Sequence, residues 1–161
     1  MSEQCAYHEA GHALMAHLCG ARVHFVSIDP EWEPEALRAD GEIELEWENE
    51  TFNPKERLVA QIRVALAGPA AEMIYSRDPF HPAFVHEWKL DWNTAWELAG
   101  ALHVDEKKRL RFLEKQTQEL YHYLAQDFIW QAIASLVDEL LAHEHLEGDL
   151  VHEVLATWLP S

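Results

Sequence analysis

The sequence HEAGH at positions 8–12 places two histidines and a glutamate where they could carry out hydrolytic chemistry. On a helix, His8 and His12 lie one turn apart on the same face, about 6 Å from each other along the axis. Their imidazoles can then bind one cation together, and zinc is the usual occupant of such a pair. Glu9 lies beside them and could accept a proton from a water molecule whose pKa zinc lowers to about 7. The spacing therefore predicts a catalytic zinc site of the H-E-x-x-H type.

This pattern is less specific here than in most chains, because the sequence contains 11 histidines and 29 acidic residues. Three more His-Glu pairs, at positions 86–87, 143–144 and 152–153, lack a histidine three residues after the glutamate. The alternative interpretation is that His8 and His12 are surface or core histidines that bind no metal.

Gly11, inside the motif, needs its own explanation, because glycine in a helix interior costs about 1 kcal/mol relative to alanine. One explanation is that a substrate or another element of the fold approaches the helix closely at this position. The other is that two helices pack tightly against each other there.

A catalytic zinc site needs a third protein ligand, which must come from another part of the chain. Carboxylates and histidines on the later helices are the candidates, and spacing alone does not choose among Glu72, His86, Glu87, Asp91, Glu97 and His103. The identity of the third ligand therefore stays open at the level of residue patterns.

The elements that must position these residues are mainly helical. The motif falls within a predicted helix from about Ser2 to Cys19, with Gly20 suited to its end. Two β-rich runs, Val23–Ile28 and Glu42–Trp47, predict a small sheet, with an acidic loop at Glu31–Asp40 between them. Helical patterns then follow at Lys55–Tyr75, Trp88–His103, Asp105–Tyr123, Asp127–His143 and Asp149–Trp158. The expectation is one domain over residues 1–161, mainly α with a small β-sheet.

Two features of these helices allow more than one interpretation. Pro69 lies inside the Lys55–Tyr75 pattern and is expected to kink or restart that helix. Trp88, Trp92 and Trp96 recur every four residues, which is typical of a core-facing stripe. The same stripe could instead form a wall of a substrate cleft beside Asp91.

Composition limits the possible partners. The formal net charge of -17 repels phosphate backbones and anionic lipid, so we expect no nucleic acid and no membrane surface as partners. We see no apolar run of about 18 residues and no signal-peptide pattern, and we therefore expect a cytoplasmic protein. Cys5 and Cys19, about 21 Å apart if on one helix, are too distant for a disulfide.

Beyond the motif, the chain resembles the peptidase domain of the FtsH family of zinc metallopeptidases. The run YHEAGHAL at 7–14 is similar to that family's zinc site. Further similarity follows in the same order along the chain, in VHFVSIDP at 23–30, LAGPAAE at 66–72, LDWNTA at 90–95 and AHEHLEG at 142–148. The resemblance therefore extends over nearly the whole chain and implies an FtsH-like, zincin-like helical fold.

The resemblance also implies roles for individual residues. It makes His8 and His12 zinc ligands, Glu9 the catalytic base and Asp91 the third ligand. FtsH proteins join this domain to a membrane anchor and an ATP-driven unfoldase, whereas this sequence has no G-x-x-x-x-G-K-[ST] phosphate loop. We therefore expect an ATP-independent zinc endopeptidase that cleaves flexible or unfolded peptides, as a possible homo-oligomer or with a separate ATPase partner. The alternative is a non-catalytic zinc-binding domain with a regulatory or assembly role.

Overall fold

The computed structural model describes residues 3–29, 42–48, 53–77 and 81–159, and of Phe84 and Glu87 it describes the backbone alone. The acidic loop predicted at Glu31–Asp40 lies outside these described residues. The mainly helical class with a small sheet is confirmed. None of the helices in the described ranges is long and apolar enough to cross a membrane.

Six α-helices account for most of the described chain, and they follow the predicted pattern closely. They are α1 (Glu3–Leu18), α2 (Pro54–Ser76), α3 (Lys89–Ala99), α4 (Glu106–Leu124), α5 (Asp127–His143) and α6 (Gly148–Trp158). The largest difference is at α3, which is shorter than the predicted Trp88–His103. Two single 3-10 turns, Pro82–Phe84 and His86–Trp88, precede it, and the chain leaves the helix at Gly100.

In the part of the chain that the structure describes, three antiparallel strands form one sheet beside these helices. Strands β1 (Arg22–Ser27), β2 (Glu42–Glu46) and β3 (His145–Glu147) lie in the order β2-β1-β3. The first two strands were predicted from their β-rich runs, but β3 was not. A strand of three residues is too short to show an alternating pattern.

The helix does not break and restart at Pro69, as the sequence suggested it could. Helix α2 is continuous from Pro54 to Ser76. The side chain of Asn53 caps its start by accepting a hydrogen bond from the Glu56 amide at 2.8 Å, and Arg77 ends it in a left-handed conformation. Proline inside a helix costs about 3 kcal/mol. Pro69 is itself buried and lies among fully buried alanines, so tertiary packing offsets the lost backbone hydrogen bond.

The three tryptophans spaced four residues apart pack toward the hydrophobic core, as expected for a core-facing stripe. Trp88 and Trp92 are only 4% and 7% exposed, and Trp96 is partly buried against the hydrophobic core. The guanidinium of Arg109 covers the Trp96 ring at 4.7 Å from its centroid. The stripe therefore joins α3 to the rest of the fold rather than presenting a tryptophan wall to solvent.

Helices α1 and α2 form the most extensive helix contact among the described residues, and Gly11 lies within it. A Cβ atom at this position would lie 2.5 Å from the Ala67 carbonyl oxygen and 2.7 Å from the Ala71 Cβ. Both distances are shorter than van der Waals contact, so only glycine fits. Tight helix packing is therefore the explanation of Gly11.

We expect Gly11→Ala to destabilise the protein by about 1–3 kcal/mol, because the added methyl group forces α1 and α2 apart. Urea unfolding of the wild type and the variant measures this difference. The matched control is Gly100→Ala, where the nearest atoms would lie at 3.2–3.4 Å and the change should stay within about 0.5 kcal/mol. If Gly11→Ala were as stable as the control, this packing of α1 on α2 would be wrong.

Candidate metal centre

Helices α1 and α3 bring three potential ligand atoms to one point. Nε2 of His8 lies 3.1 Å from Nε2 of His12, and Oδ2 of Asp91 lies 2.8 Å from the first and 3.4 Å from the second. Asp91 is 83 positions away from His8 in the sequence. The fold thus selects one carboxylate from the six candidates and places it against both imidazoles.

These three atoms form a triangle of the size that a metal ion requires. A tetrahedral ion with bonds of about 2.0–2.1 Å holds its ligand atoms about 3.3 Å apart. The observed sides of 2.8, 3.1 and 3.4 Å are close to that value. Two nitrogens and one carboxylate oxygen are also a donor set that zinc accepts in catalytic sites. The residues present therefore fit a zinc ion.

The imidazole of His12 is held in the tautomer that a metal ligand needs. Its Nδ1 donates a hydrogen bond of 2.7 Å to the backbone carbonyl of Val64, which can only accept. The proton of the neutral ring is therefore on Nδ1, and the lone pair of Nε2 points toward His8 and Asp91. Such a hydrogen bond to the far nitrogen orients a histidine ligand and increases its basicity.

His8 lies between two carboxylates. Its Nδ1 approaches Oε1 of Glu72 at 2.8 Å, and its Nε2 faces Asp91 on the other side. The side chain of Glu72 is 15% exposed, so this contact is mostly shielded from water. Glu72 was a candidate third ligand in the sequence, but the structure places it in ion-pair contact with the far nitrogen of His8, where it does not complete the triangle.

Gly68 makes room for the imidazole of His12. A Cβ atom on Gly68 would overlap Nε2 of His12 and lie 2.6 Å from its Cε1. The ring is already held by Val64, so it has no free space to move into. The glycine of the small-residue segment in α2 is therefore required for the close approach of the ligand to that helix.

Glu9 lies at the same point without taking part in the triangle. One ligand atom of each of His8, Glu9 and His12 lies within 4.8 Å of the others, and Glu9 is 4% exposed. A carboxylate that is close to the ligands and shielded from bulk water is suited to accept a proton at this point. The structure thus places the predicted base beside the predicted ligands.

Strong coupling between these groups changes their pKa values. Burial alone lowers the pKa of His8, but the carboxylates of Asp91 and Glu72 raise it to about 10. For His12, burial again acts downward and the charge of Asp91 reverses it, so that its pKa is raised. Burial raises the pKa of Asp91, but the charges and hydrogen bonds of His12 and His8 hold it well below its usual range. In the metal-free protein, the protonated imidazoles therefore neutralise the negative charge of the neighbouring carboxylates.

The cluster as a whole requires positive charge. Glu9, Glu72 and Asp91 surround two imidazoles that are neutral whenever they act as ligands. Among the described residues, no lysine or arginine forms an ion pair with any of these carboxylates. Burying several carboxylates without a counter-charge is costly. A divalent cation bound by the three ligand atoms would remove that cost.

The other candidate ligands lie elsewhere. His86 and Glu97 are exposed, and the ring of His103 packs against Phe112 with 4.9 Å between centroids. The side chain of Glu87 lies outside the described residues. Sequence reasoning missed two contributors to the site, the Val64 carbonyl and Gly68. A backbone acceptor leaves no side-chain signal, whereas the glycine could have been noticed within the otherwise alanine-rich stretch of α2.

Comparison with known proteins agrees with this geometry. Residues 4–143 match the family described as Peptidase family M50. The ATP-dependent zinc metalloprotease FtsH of Veillonella parvula is 39% identical over 71 residues, which cover 43% of this chain and 10% of that protein. The chain therefore matches a small part of this relative. The two matches together support a zinc metallopeptidase and do not single out the FtsH type.

We expect zinc to displace at least one proton when it binds the metal-free protein at pH 8. The imidazole of His8, with its pKa raised to about 10, is protonated at that pH and must lose its proton to become a ligand. Calorimetric titration in two buffers of different ionisation enthalpy measures the number of protons released. Affinity should rise with pH up to about 10. Equal enthalpies in the two buffers would contradict this prediction, and the exposed-site variant His24→Ala should behave as the wild type.

Proposed function

Because the chain belongs to peptidase family M50, we propose that it is a zinc-dependent endopeptidase in which His8, His12 and Asp91 hold the metal and Glu9 is the catalytic base. The observation that carries this proposal is the triangle of ligand atoms, with sides of 2.8–3.4 Å, that lies beside the buried carboxylate of Glu9. The similarity of LDWNTA at 90–95 to the FtsH segment that supplies an aspartate ligand supports Asp91 independently.

The three ligands and the groups behind them have separate tasks in this mechanism. His8, His12 and Asp91 hold the cation, while the Val64 carbonyl and Glu72 keep the two rings oriented. Bound there, zinc supplies Lewis acidity, which polarises a peptide carbonyl and lowers the pKa of a water molecule to about 7.

Glu9 moves the proton that hydrolysis requires. Its carboxylate takes a proton from the attacking water as the water oxygen bonds to the carbonyl carbon. It then donates the same proton to the amide nitrogen as the C–N bond breaks, so that the products are an amine and a carboxylic acid, whose remaining proton dissociates at neutral pH. The burial of Glu9 keeps bulk water from competing for this proton.

Flexible or unfolded peptides are the substrate class that we propose. The side chains of His12 and Asp91 are only 7% and 18% exposed, so the scissile bond must enter a recess to reach them. A backbone that is hydrogen-bonded inside a folded protein cannot do so without local unfolding. For folded substrates, we propose that a separate ATP-driven unfoldase acts first, in keeping with the partial match to an ATP-dependent relative.

We expect Glu9→Gln to retain zinc and lose cleavage of an unfolded protein such as reduced casein by at least about a hundredfold, because it removes the proton acceptor. His12→Ala should lose both zinc and cleavage. Metal content and the appearance of new amino termini are measured on the same samples. The matched control is His24→Ala, an exposed histidine on β1 that should retain full activity.

The outcomes of this experiment separate the proposed enzyme from the alternative of a non-catalytic zinc domain. One zinc per chain with no cleavage of a broad set of unstructured substrates would support the non-catalytic role. Equal cleavage by the wild type and Glu9→Gln would show that another group is the base or that the activity is a contaminant.

We expect Glu72→Gln to weaken zinc binding by about tenfold, because it removes the negative charge that orients His8 and makes it more basic. Competition with a chromophoric chelator measures the affinity. Glu97→Gln is the matched control, since Glu97 is exposed on α3 and has no contact with the site that the structure shows. Equal affinities for the two variants would mean that Glu72 does not act on the metal through His8.

A further inference from the structure

A second pair of histidines lies outside the metal centre and joins three elements of the fold. His17, in the last turn of α1, and His152, in α6, face each other with their Nδ1 atoms 2.8 Å apart. Their rings are inclined by 37°, with 5.0 Å between centroids, and both residues are partly buried. The distance is that of a hydrogen bond between two ring nitrogens.

Strand β1 contributes the third part of this arrangement. The backbone N–H of Val23 donates a hydrogen bond of 3.0 Å to Nε2 of His152. Strand β3 pairs with β1 only from Phe25 to Ser27, so the Val23 amide lies beyond the end of that strand. Helix α6 begins directly over this position, since a Cβ atom on Gly148 would overlap the Val23 carbonyl. His152 thus takes the place of the missing strand neighbour.

These contacts assign the ring protons. Because Val23 donates to Nε2 of His152, that nitrogen carries a lone pair, and the proton of the neutral ring must be on Nδ1. This Nδ1–H then donates to Nδ1 of His17, which in turn carries a lone pair. His17 therefore has its proton on Nε2. The hydrogen-bond chain runs from Val23 through His152 to His17, and every member is satisfied only when both rings are neutral.

We propose that His17 and His152 form a proton-sensitive latch that fastens α6 to the end of α1 and to β1 at neutral pH and releases them when the pair takes up a proton. A proton on Nε2 of His152 would face the Val23 N–H, and a proton on Nδ1 of His17 would face the Nδ1–H of His152. Either event sets two donors against each other. This inference is independent of the proposed peptidase activity.

A shared metal ion does not account for the pair equally well. A metal on Nδ1 of His152 would leave the ring proton on Nε2, directly opposite the N–H of Val23. The backbone of β1 therefore favours the hydrogen-bonded pair over a metal bridge.

The surroundings determine the pH range of the latch. Burial lowers the pKa of His17, and the charge of His152 acts in the same direction. Burial also lowers the pKa of His152; the nearby carboxylate of Asp149 opposes this shift and Arg22 on β1 adds to it. Histidines with a lowered pKa in the folded state bind more protons when unfolded. Their stabilising effect is therefore present above about pH 6.5 and is lost as the pH falls through the lower folded-state values.

The test is a double-mutant cycle of His17→Ala, His152→Ala and the double variant, in the zinc-loaded protein, at pH 7.5 and pH 5.5. The measured quantity is the coupling between the two sites in the equilibrium constant for unfolding. We expect a coupling of about fivefold at pH 7.5, as for one buried hydrogen bond, and a smaller coupling at pH 5.5. Metal content is measured at both pH values, and any zinc loss common to the four proteins cancels within the cycle.

His24 and Glu46 provide the matched control pair. They lie 2.8 Å apart on the exposed face of the sheet and interact most strongly when the histidine is charged. The coupling between them should therefore not fall on acidification, in contrast to that of His17 and His152. A coupling between His17 and His152 that is absent at pH 7.5, unchanged with pH, or larger at pH 5.5 would overturn the proposal.

Nuclear magnetic resonance tests the proton assignment without a substitution, in case a variant fails to fold. Long-range proton–nitrogen spectra at pH 7.5 should show His152 protonated on Nδ1 and His17 protonated on Nε2. Both should titrate at a lower pH than an ordinary histidine side chain. The opposite tautomer of His152, or a His17 that is charged at pH 7.5, would overturn the latch.

Discussion

The close contact between α1 and α2 is the constraint on which the site depends. Gly11 lets the backbone of α2 approach α1 until the Ala67 carbonyl fills the space of a side chain, and Gly68 then admits the ring of His12. At this close approach the imidazole of His12 lies 2.7 Å from the backbone carbonyl of Val64 and donates a hydrogen bond to it. The absence of a side chain at Gly11 and at Gly68 thus allows the packing that positions the candidate metal ligands.

The packing of α1 on α2 also concentrates negative charge at the candidate site. The packing brings Glu9, Glu72 and Asp91 around two imidazoles in a region that is largely closed to water. Such a cluster conflicts with the general tendency of folded proteins to separate buried like charges. Conflicts of this kind are expected at functional sites, where the stabilising partner is supplied from outside the chain. Protons can serve as that partner, but a divalent cation matches both the charge and the shape.

Much of the fold could be predicted because its signals are local. Within the described residues, the helical and alternating patterns identify all six α-helices and two of the three strands, and the H-E-x-x-H spacing identifies the two histidines and the glutamate of the proposed site. The proposed third ligand could not be deduced from spacing, since 83 positions separate Asp91 from His8 and their meeting depends on how α3 docks. Similarity to a known family supplied that residue.

Other parts of the structure had no signal in the sequence that pattern reasoning could use. The Val64 carbonyl is common to every residue type, so no choice of side chain marks it. Strand β3 is defined by its neighbour β1 rather than by its own three residues. At Pro69 the local signal is strong but misleading. Proline disfavours a helix interior, yet packing among the buried alanines around it outweighs that preference. Propensity rules fail where tertiary packing contributes the larger free energy.

The two imidazoles of the candidate metal centre differ in which group holds them, and this difference affects how the site can change over evolutionary time. His12 relies on the main chain at Val64, which no point mutation at that position can delete. His8 relies on the side chain of Glu72, which a single nucleotide change can replace. Point mutations at Glu72 can therefore change the metal affinity gradually through His8, while the hydrogen bond that holds His12 stays unchanged. A lineage that no longer needed hydrolysis would be expected to accumulate its first tolerated changes at Glu72.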